Sequence, residues 1–487
     1  MILFLAPPPK GISGGYRYNE EILAHLPPDA PRVEYRFCEA DVLEKAIAGL
    51  SSSVASSQGG GAGASELAEA LSNAHAVLLD SLTFTALSRK ALSRLSRICP
   101  TGLMYHHMPR LDPDIGSRLR AKRQTDEAQR LASCSLVITP SAAVARSVRR
   151  LCARHAVRRG RRSAGIRVVP VHPGEHCDGF GAAGTGGPAA GYDATLHRAS
   201  VAAGFAYAAG SDPPATGSTD TAVRRSPAHK STAAAGSTFP TPGAAHHAYA
   251  DVPAADSAHD GGVDSPVRIL SVGSVEPRKA QAELFRALER LPHLNWRWDV
   301  VGSPESAPEY AQSLTGAVVR SPLSSRVTIH GGLGRDETRR LFREADIFAL
   351  PSRFETYGMV FAEARCAGLP VLARAVGGVP EVVRHRAEGL LVAPGRPIAG
   401  ALALLIADRS RRAELALGAR ASAAALPGWD EQAAMFADAL RVLARGAQGA
   451  GRKRRVRGGR LVRGGPWLRG RATHARGDLP YGRAARL

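Results

Sequence analysis

At 487 residues the chain is long enough for two or three domains with full cores. Its formal charge of +21 is uneven, because the stretch from Ala447 to Leu487 holds 12 Lys and Arg against one acid, Asp478. No window of about 18 apolar residues exists, which excludes a membrane-spanning helix. The six cysteines (Cys38, Cys99, Cys134, Cys152, Cys177, Cys366) contain no C-x2-C pair, so neither a zinc site nor a disulfide framework is suggested.

Ile2 to Ala6 is a continuous apolar run, the pattern of a strand buried on both faces of a parallel sheet. It is too short for a signal h-region, so a core strand and a cytoplasmic protein are expected. Gly11, Gly14 and Gly15 follow, then a helical pattern through Ile22, Leu23 and Leu26. These glycines let backbone approach a ligand, but their spacing is not the dinucleotide G-x-G-x-x-G. Further strands are expected at Val33–Phe37, Ala76–Leu79, Gly102–Tyr105 and Ser135–Thr139, separated by helices, which is the alternation of a doubly wound α/β sheet. A Ser/Gly/Ala run from Ser51 to Ala64 reads as a loop. The stretch GLMYHHMPRLDP from Gly102 places His106 and His107 at the carboxyl end of a strand, where ligands bind in such sheets. Ser141 is placed to N-cap a helix from Ala142 to Leu151.

Arg167 to Gly174 reads as a last strand of the first domain, 1–176. From 177 to 264 Ala, Gly, Ser, Thr, Pro and His dominate, with too few large apolar groups to offset ordering entropy, so a disordered insertion is expected. A second domain is expected over 265–428. It opens with a strand from Pro266 to Gly273, followed by Arg278-Lys279, two cations at a strand-to-helix turn that suit a pyrophosphate. Strands at Trp298–Val301 and Arg326–Gly331 come next.

The stretch ADIFALPSRFETYGMVFAEARCAGLPVLARAVGGVP, Ala345 to Pro380, organises the rest. Ile347–Leu350 reads as a buried strand, Glu355 sits on the loop after it, and a helix begins near Gly358 and Met359. The free N–H groups of a helix start favour an anion. Glu363 lies about 7.5 Å further along the axis. Carboxylates thus bracket a phosphate site, an arrangement suited to a nucleotide-sugar. A second strand follows at Pro370–Ala373, then the Gly377-Gly378 turn. A helix from Trp429 to 446 and a basic tail, 447–487, close the chain. Such a tail reads as solvated, with an attraction for anionic bilayers or nucleic acid alike.

The ordered set Pro351-Ser352, Glu355 and Glu363, Glu363-Ala364, Gly368 to Val371, and Gly377-Gly378 with Pro380-Glu381 resembles the C-terminal signature of the retaining family 4 glycosyltransferases of GT-B fold, the glycosyl transferases group 1. The resemblance implies two Rossmann-like domains with the active site between them, and a metal-independent transfer from a UDP- or GDP-linked sugar to a glycan, lipid-linked or small-molecule acceptor. It assigns no cofactor beyond the donor and points to bacterial cell-envelope polysaccharide synthesis. His106, with His107 in reserve, would face the donor sugar, Glu355 its hydroxyls, and Glu363 the ribose. Lys279 would hold the diphosphate. Arg278 would replace an Arg that the family carries where Ser274 stands, and Ala280 occupies a usual Gly. Gly14 and Gly15 would line the cleft, Gly331 would lie beside the base, and Gly358 and Met359 would begin the phosphate-binding helix. The Trp429 helix would cross back onto the first domain, and the basic tail would give peripheral contact with the membrane rather than a nucleic-acid function. Two alternatives stay open: a non-catalytic GT-B scaffold binding through its tail, and a GT-B sugar-nucleotide epimerase.

Overall fold

The structure, a computed structural model, describes residues 1–9, 14–50, 62–107, 110, 115–158, 166–175, 177 and 265–457. The low-complexity insertion beyond Cys177, most of the Ser/Gly/Ala loop and the tail from 458 lie outside the described residues.

The first domain alternates β1 (Ile2–Ala6), α1 (Gly14–Ala24), β2 (Val33–Phe37), α2 (Ala40–Gly49), α3 (Ala62–Asn73) and β3 (Ala76–Asp80). It continues through α4 (Ser81–Ala86), α5 (Arg89–Ile98), β4 (Thr101–Met104), α6 (Ser117–Leu131), β5 (Leu136–Thr139), α7 (Ala142–Arg158) and β6 (Arg167–Pro170). The second domain runs β7 (Val267–Val272), α8 (Gln281–Leu288), β8 (Trp296–Val301), α9 (Pro308–Arg320), β9 (Val327–Gly331), α10 (Arg335–Glu344) and β10 (Ile347–Leu350). After these come α11 (Met359–Cys366), β11 (Val371–Arg374), α12 (Val379–Val382), β12 (Gly389–Val392), α13 (Ala399–Ala407), α14 (Arg409–Ala423) and α15 (Trp429–Arg457).

Apolar runs with no polar alternation, such as β1, β3 and β10, are buried along their whole length. Only a sheet covered on both faces accommodates them. Each domain accordingly has six parallel strands, in the orders β2-β1-β3-β4-β5-β6 and β12-β11-β10-β7-β8-β9. The order reverses between β1 and β3 in one sheet and between β7 and β10 in the other. Crevices form outside the carboxyl ends of strands at such points. The two crevices face each other across the domain interface.

Several boundaries differ from the expected ones for local reasons. β8 starts at Trp296, because Trp296 and Trp298 are both buried while Arg297 between them is exposed. β11 starts at Val371, since Pro370 has no N–H for the ladder. Gly358 is the N-cap of α11 and Met359 its first residue. α7 runs on to Arg158, and α15 continues past 446 to Arg457. β12, a four-residue strand, was not anticipated.

α15 returns to the first domain. Trp429, Phe436, Leu440 and Leu443 pack with Ile2, Phe4, Leu78 and Ile138 in one apolar cluster. A carboxylate supplies a second tie. Glu381 accepts from the backbone N–H groups of Ala142 (2.8 Å) and Ala143 (2.6 Å), at the start of α7 in the other domain. A negative charge there meets the positive end of a helix dipole. Ser141 caps the same helix through the Val144 N–H.

The cysteine reading needs correction. Cys177 and Cys366 form a disulfide that joins the end of the first domain to α11. They stand 189 residues apart, so no spacing rule could pair them; the juxtaposition exists only once the two domains meet. Cys38, Cys99, Cys134 and Cys152 are free thiols. Burial pushes Cys38 and Cys152 up to about 11 and Cys99 to about 12, as for small buried hydrophobes rather than nucleophiles.

Candidate active site

The facing crevices enclose a cavity of about 530 Å³. One wall is built from segments that follow β1, β3 and β4: Gly14 to Tyr18, Asp80 to Leu82, and His106 with His107. The opposite wall follows β7 and β10: Val272 to Ser274, Arg278 and Lys279, and Phe354 to Val360 with Glu363. Of the eleven residues given a role in the site from sequence, His107 in reserve included, ten line this cavity. Gly331 does not: it ends β9 on the far side of β8, where its carbonyl accepts from the Gly302 N–H at 2.7 Å.

Glu355 is 5% exposed and sits between two cations. Lys279 Nζ donates to its Oε1 at 2.6 Å, and Arg278 Nη1 reaches its Oε2 at 3.4 Å. Burial raises the carboxyl, but Lys279 and Arg278 outweigh it and hold Glu355 below the usual carboxylate range. Burial in turn pulls the Lys279 ammonium down, with Glu355 opposing. The Lys279 ammonium carries three N–H donors, of which Glu355 needs one. Arg278 is committed elsewhere: it donates to Glu276 at 2.6 Å and to the Phe354 carbonyl at 3.2 Å. These bonds tie Arg278 to the Glu355 loop.

The loop itself is fixed by close backbone contacts. Gly377, with φ of 53°, places its α-carbon against the Glu355 carbonyl; a Cβ would stand 1.7 Å from that oxygen. The Gly378 N–H donates to the same carbonyl at 3.0 Å. Gly358 takes φ of 97° to start α11, and a Cβ there would meet the Phe361 ring at 2.5 Å. No side chain caps α11, and its first residues, Met359 and Val360, line the cavity, so the start of the helix and its orphan N–H groups lie at the cavity wall. Met359 Sδ lies across the cleft from Gly14.

On the facing wall His106 Nε2 meets Asn19 Oδ1 at 2.7 Å, and Asn19 Nδ2 donates to Asp80 Oδ2 at 3.3 Å. Burial pushes the His106 imidazolium down, and Asp80 offsets this in part. Burial thus favours the neutral ring. The His107 N–H donates to Ser81 Oγ at 3.1 Å. Arg17 of α1 reaches across and pairs with Glu363. Behind that pair Glu175 is buried, and burial with the nearby Glu363 pushes its carboxyl well above the usual range, Arg17 opposing. Among the described residues, no group of three or more His, Cys, Asp or Glu could hold a metal ion.

Residues 258–422 match the family model of glycosyl transferases group 1. Over 178 residues the chain is 40% identical to a D-inositol 3-phosphate glycosyltransferase of Xylanimonas cellulosilytica, covering 36% of this chain and 42% of that one. It is 35% identical over 189 residues to a GDP-mannose-dependent alpha-(1-6)-phosphatidylinositol monomannoside mannosyltransferase of Mycobacterium tuberculosis, covering 36% and 47%. The chain thus spans less than half the length of these curated relatives. The likeness of the whole chain is one of fold. Anabaena Alr3699/HepE, solved with UDP and glucose, superposes with a TM-score of 0.56 at 18% identity over 90% of this chain and 99% of that one. Sucrose-phosphate synthase of Thermosynechococcus elongatus gives 0.57 at 18% identity over 91% and 99%. The fold is GT-B.

Four residues that shape this site were not anticipated. Arg17 and Asn19 lie on a helix whose apolar pattern was read only for its core face. Asp80 ends a buried strand, and an acid directly after an apolar run was the one local sign of it. Glu381 belongs to the recognised Pro380-Glu381 pair, but its partners lie in the other domain, beyond the reach of any local pattern.

Proposed function

We propose that the protein is a glycosyltransferase that moves a sugar, with retention, from a UDP- or GDP-sugar to an acceptor hydroxyl. The observation that carries this reading is the meeting of Lys279, Glu355, the α11 start and Glu363 on one wall with His106 on the other. Its second domain matches group 1 glycosyl transferases, and a neighbour of the same fold was solved with UDP and glucose.

In this reading the diphosphate lies against Lys279 and the first N–H groups of α11. Glu355 accepts hydrogen bonds from sugar hydroxyls, and Glu363 exchanges Arg17 for the ribose diol. The anomeric C–O bond to the diphosphate breaks, and the acceptor oxygen forms its bond to the same face. The departing phosphate oxygen takes the acceptor's proton. Lys279 supplies charge that a divalent cation supplies in other transferases. A preorganised donor of this kind lowers the barrier by about 3 kcal/mol. The curated relatives named for inositol phosphate and phosphatidylinositol acceptors favour a polyol or glycolipid acceptor in an envelope pathway.

Donor hydrolysis tests the reading without knowledge of the acceptor. Incubation with UDP- and GDP-sugars, followed by proton NMR, is expected to show slow release of a sugar whose first-formed anomer is that of the donor. First release of the opposite anomer, or no release from any such donor, contradicts the proposal.

A further inference from the structure

The His106–Asn19–Asp80 chain runs from the cavity wall, where His106 is half-buried, into the buried interior of the first domain. Asn19 is fully buried on α1, and Asp80 is 4% exposed. Asp80 Oδ1 accepts from the Leu82 N–H at 2.8 Å at the start of α4, so the carboxyl group is fixed before it meets Asn19. A carboxylate only accepts hydrogen bonds. Asn19 must therefore turn its Nδ2 toward Asp80, which leaves Oδ1, an acceptor, against His106 Nε2. An amide oxygen cannot donate, so this ring nitrogen has to. Asp80 Oδ2 itself stands 3.7 Å from Nε2, outside hydrogen-bond distance, so it acts through the amide. The ring plane is held by the edge of Tyr18, with centroids 5.2 Å apart, and by Gly15, where a Cβ would stand 3.3 Å from the imidazole.

We propose that Asn19 is a positioning residue, which fixes His106 in the tautomer protonated at Nε2 and so presents Nδ1 to the cleft as a lone-pair acceptor. A ring in this state recognises a hydroxyl, which can donate to Nδ1, and discriminates against a carbonyl or carboxylate at the same place. The role in turnover rests on the transferase reading above; the state of the ring does not.

Two arms test it. Nitrogen-15 correlation spectra of the full chain at pH 7.5, with His106 assigned by comparison with His106→Gln, are expected to show a neutral ring with its proton on Nε2. Asn19→Asp is expected to convert the signal to imidazolium, since two carboxylates then face the ring. A wild-type ring protonated on Nδ1 overturns the proposal. In the kinetic arm, Asn19→Ala is expected to lower kcat about tenfold to a hundredfold, the scale of a misplaced catalytic group, with the donor KM within about twofold. In a His106→Ala background the same substitution is expected to change kcat less than about twofold. An equal loss in both backgrounds, with melting temperatures matched, overturns it. Absence of any transfer activity sinks the functional reading instead, and the spectra still decide the ring.

Discussion

Glu355→Gln is expected to lower turnover by about two decades or more, close to 3 kcal/mol in the barrier, with binding of the nucleoside diphosphate retained. The substitution keeps the volume of a side chain that is 5% exposed and removes only its charge. Two consequences follow from the geometry. The sugar hydroxyls lose a charged acceptor, whose bonds are stronger than those to a neutral amide. Lys279, whose ammonium is already pulled down by burial, loses the carboxylate that opposes that shift. It then holds its proton less firmly as pH rises, so the mutant's residual activity is expected to fall toward alkaline pH earlier than that of the wild type. Steady-state kinetics against pH, beside a circular-dichroism melt, check both. Turnover within threefold of wild type on a folded preparation removes Glu355 from the site.

The second large effect is on stability. Arg365 and Glu388 are an ion pair with no solvent exposure on either side chain, 3.3 Å apart. Arg365 also donates to the Ser422 carbonyl at 2.9 Å, to its hydroxyl at 2.7 Å, and to the Val382 carbonyl. Glu388 accepts from the Arg384 backbone N–H at 2.8 Å. These bonds stitch α11, the end of α12 with the loop after it, and α14 together. Removing one partner strands a buried charge, at a cost of about 3–5 kcal/mol. Glu388→Ala is therefore expected to lower the melting temperature of the second domain by roughly 10 °C. The double change Arg365→Met, Glu388→Leu is expected to be less damaging than Glu388→Ala, because no fully buried charge is then left unpaired; Arg384, which also donates to Glu388 at 2.8 Å, is partly exposed. Calorimetry on the three proteins decides it; a single mutant that melts with the wild type contradicts the buried-pair account.

How much of this was visible in the residues depended on the range of the interaction. β1 and β10 fall where their apolar runs do, because burial on both faces of a parallel sheet leaves that pattern in consecutive positions. Glu355, Gly358 and Glu363 were legible as a set because loop, helix start and helix turn follow one another in the chain. β12 was missed because four residues, Gly389 to Val392, are too few to show a period. The Arg17–Glu363 pair, the Glu381 cap on α7 and the Cys177–Cys366 disulfide each join positions far apart in sequence. Nothing local encodes them, since they exist only where the two domains meet. Gly331 is the one of the expected site residues that the cavity leaves out. Its strand was read correctly, but β9 lies one strand beyond β8, away from the β7/β10 reversal, and so ends outside the cavity.

The central claim is that Lys279 and the start of α11 grip a nucleoside diphosphate. Melting curves with UDP, GDP and ADP test it most directly. One of the three, at about 100 times its Kd, is expected to stabilise the wild-type protein by about 2.7 kcal/mol, and Lys279→Ala is expected to lose most of that shift relative to its own baseline. A wild-type protein that none of the three stabilises, or a Lys279→Ala variant that is stabilised as strongly, contradicts the account.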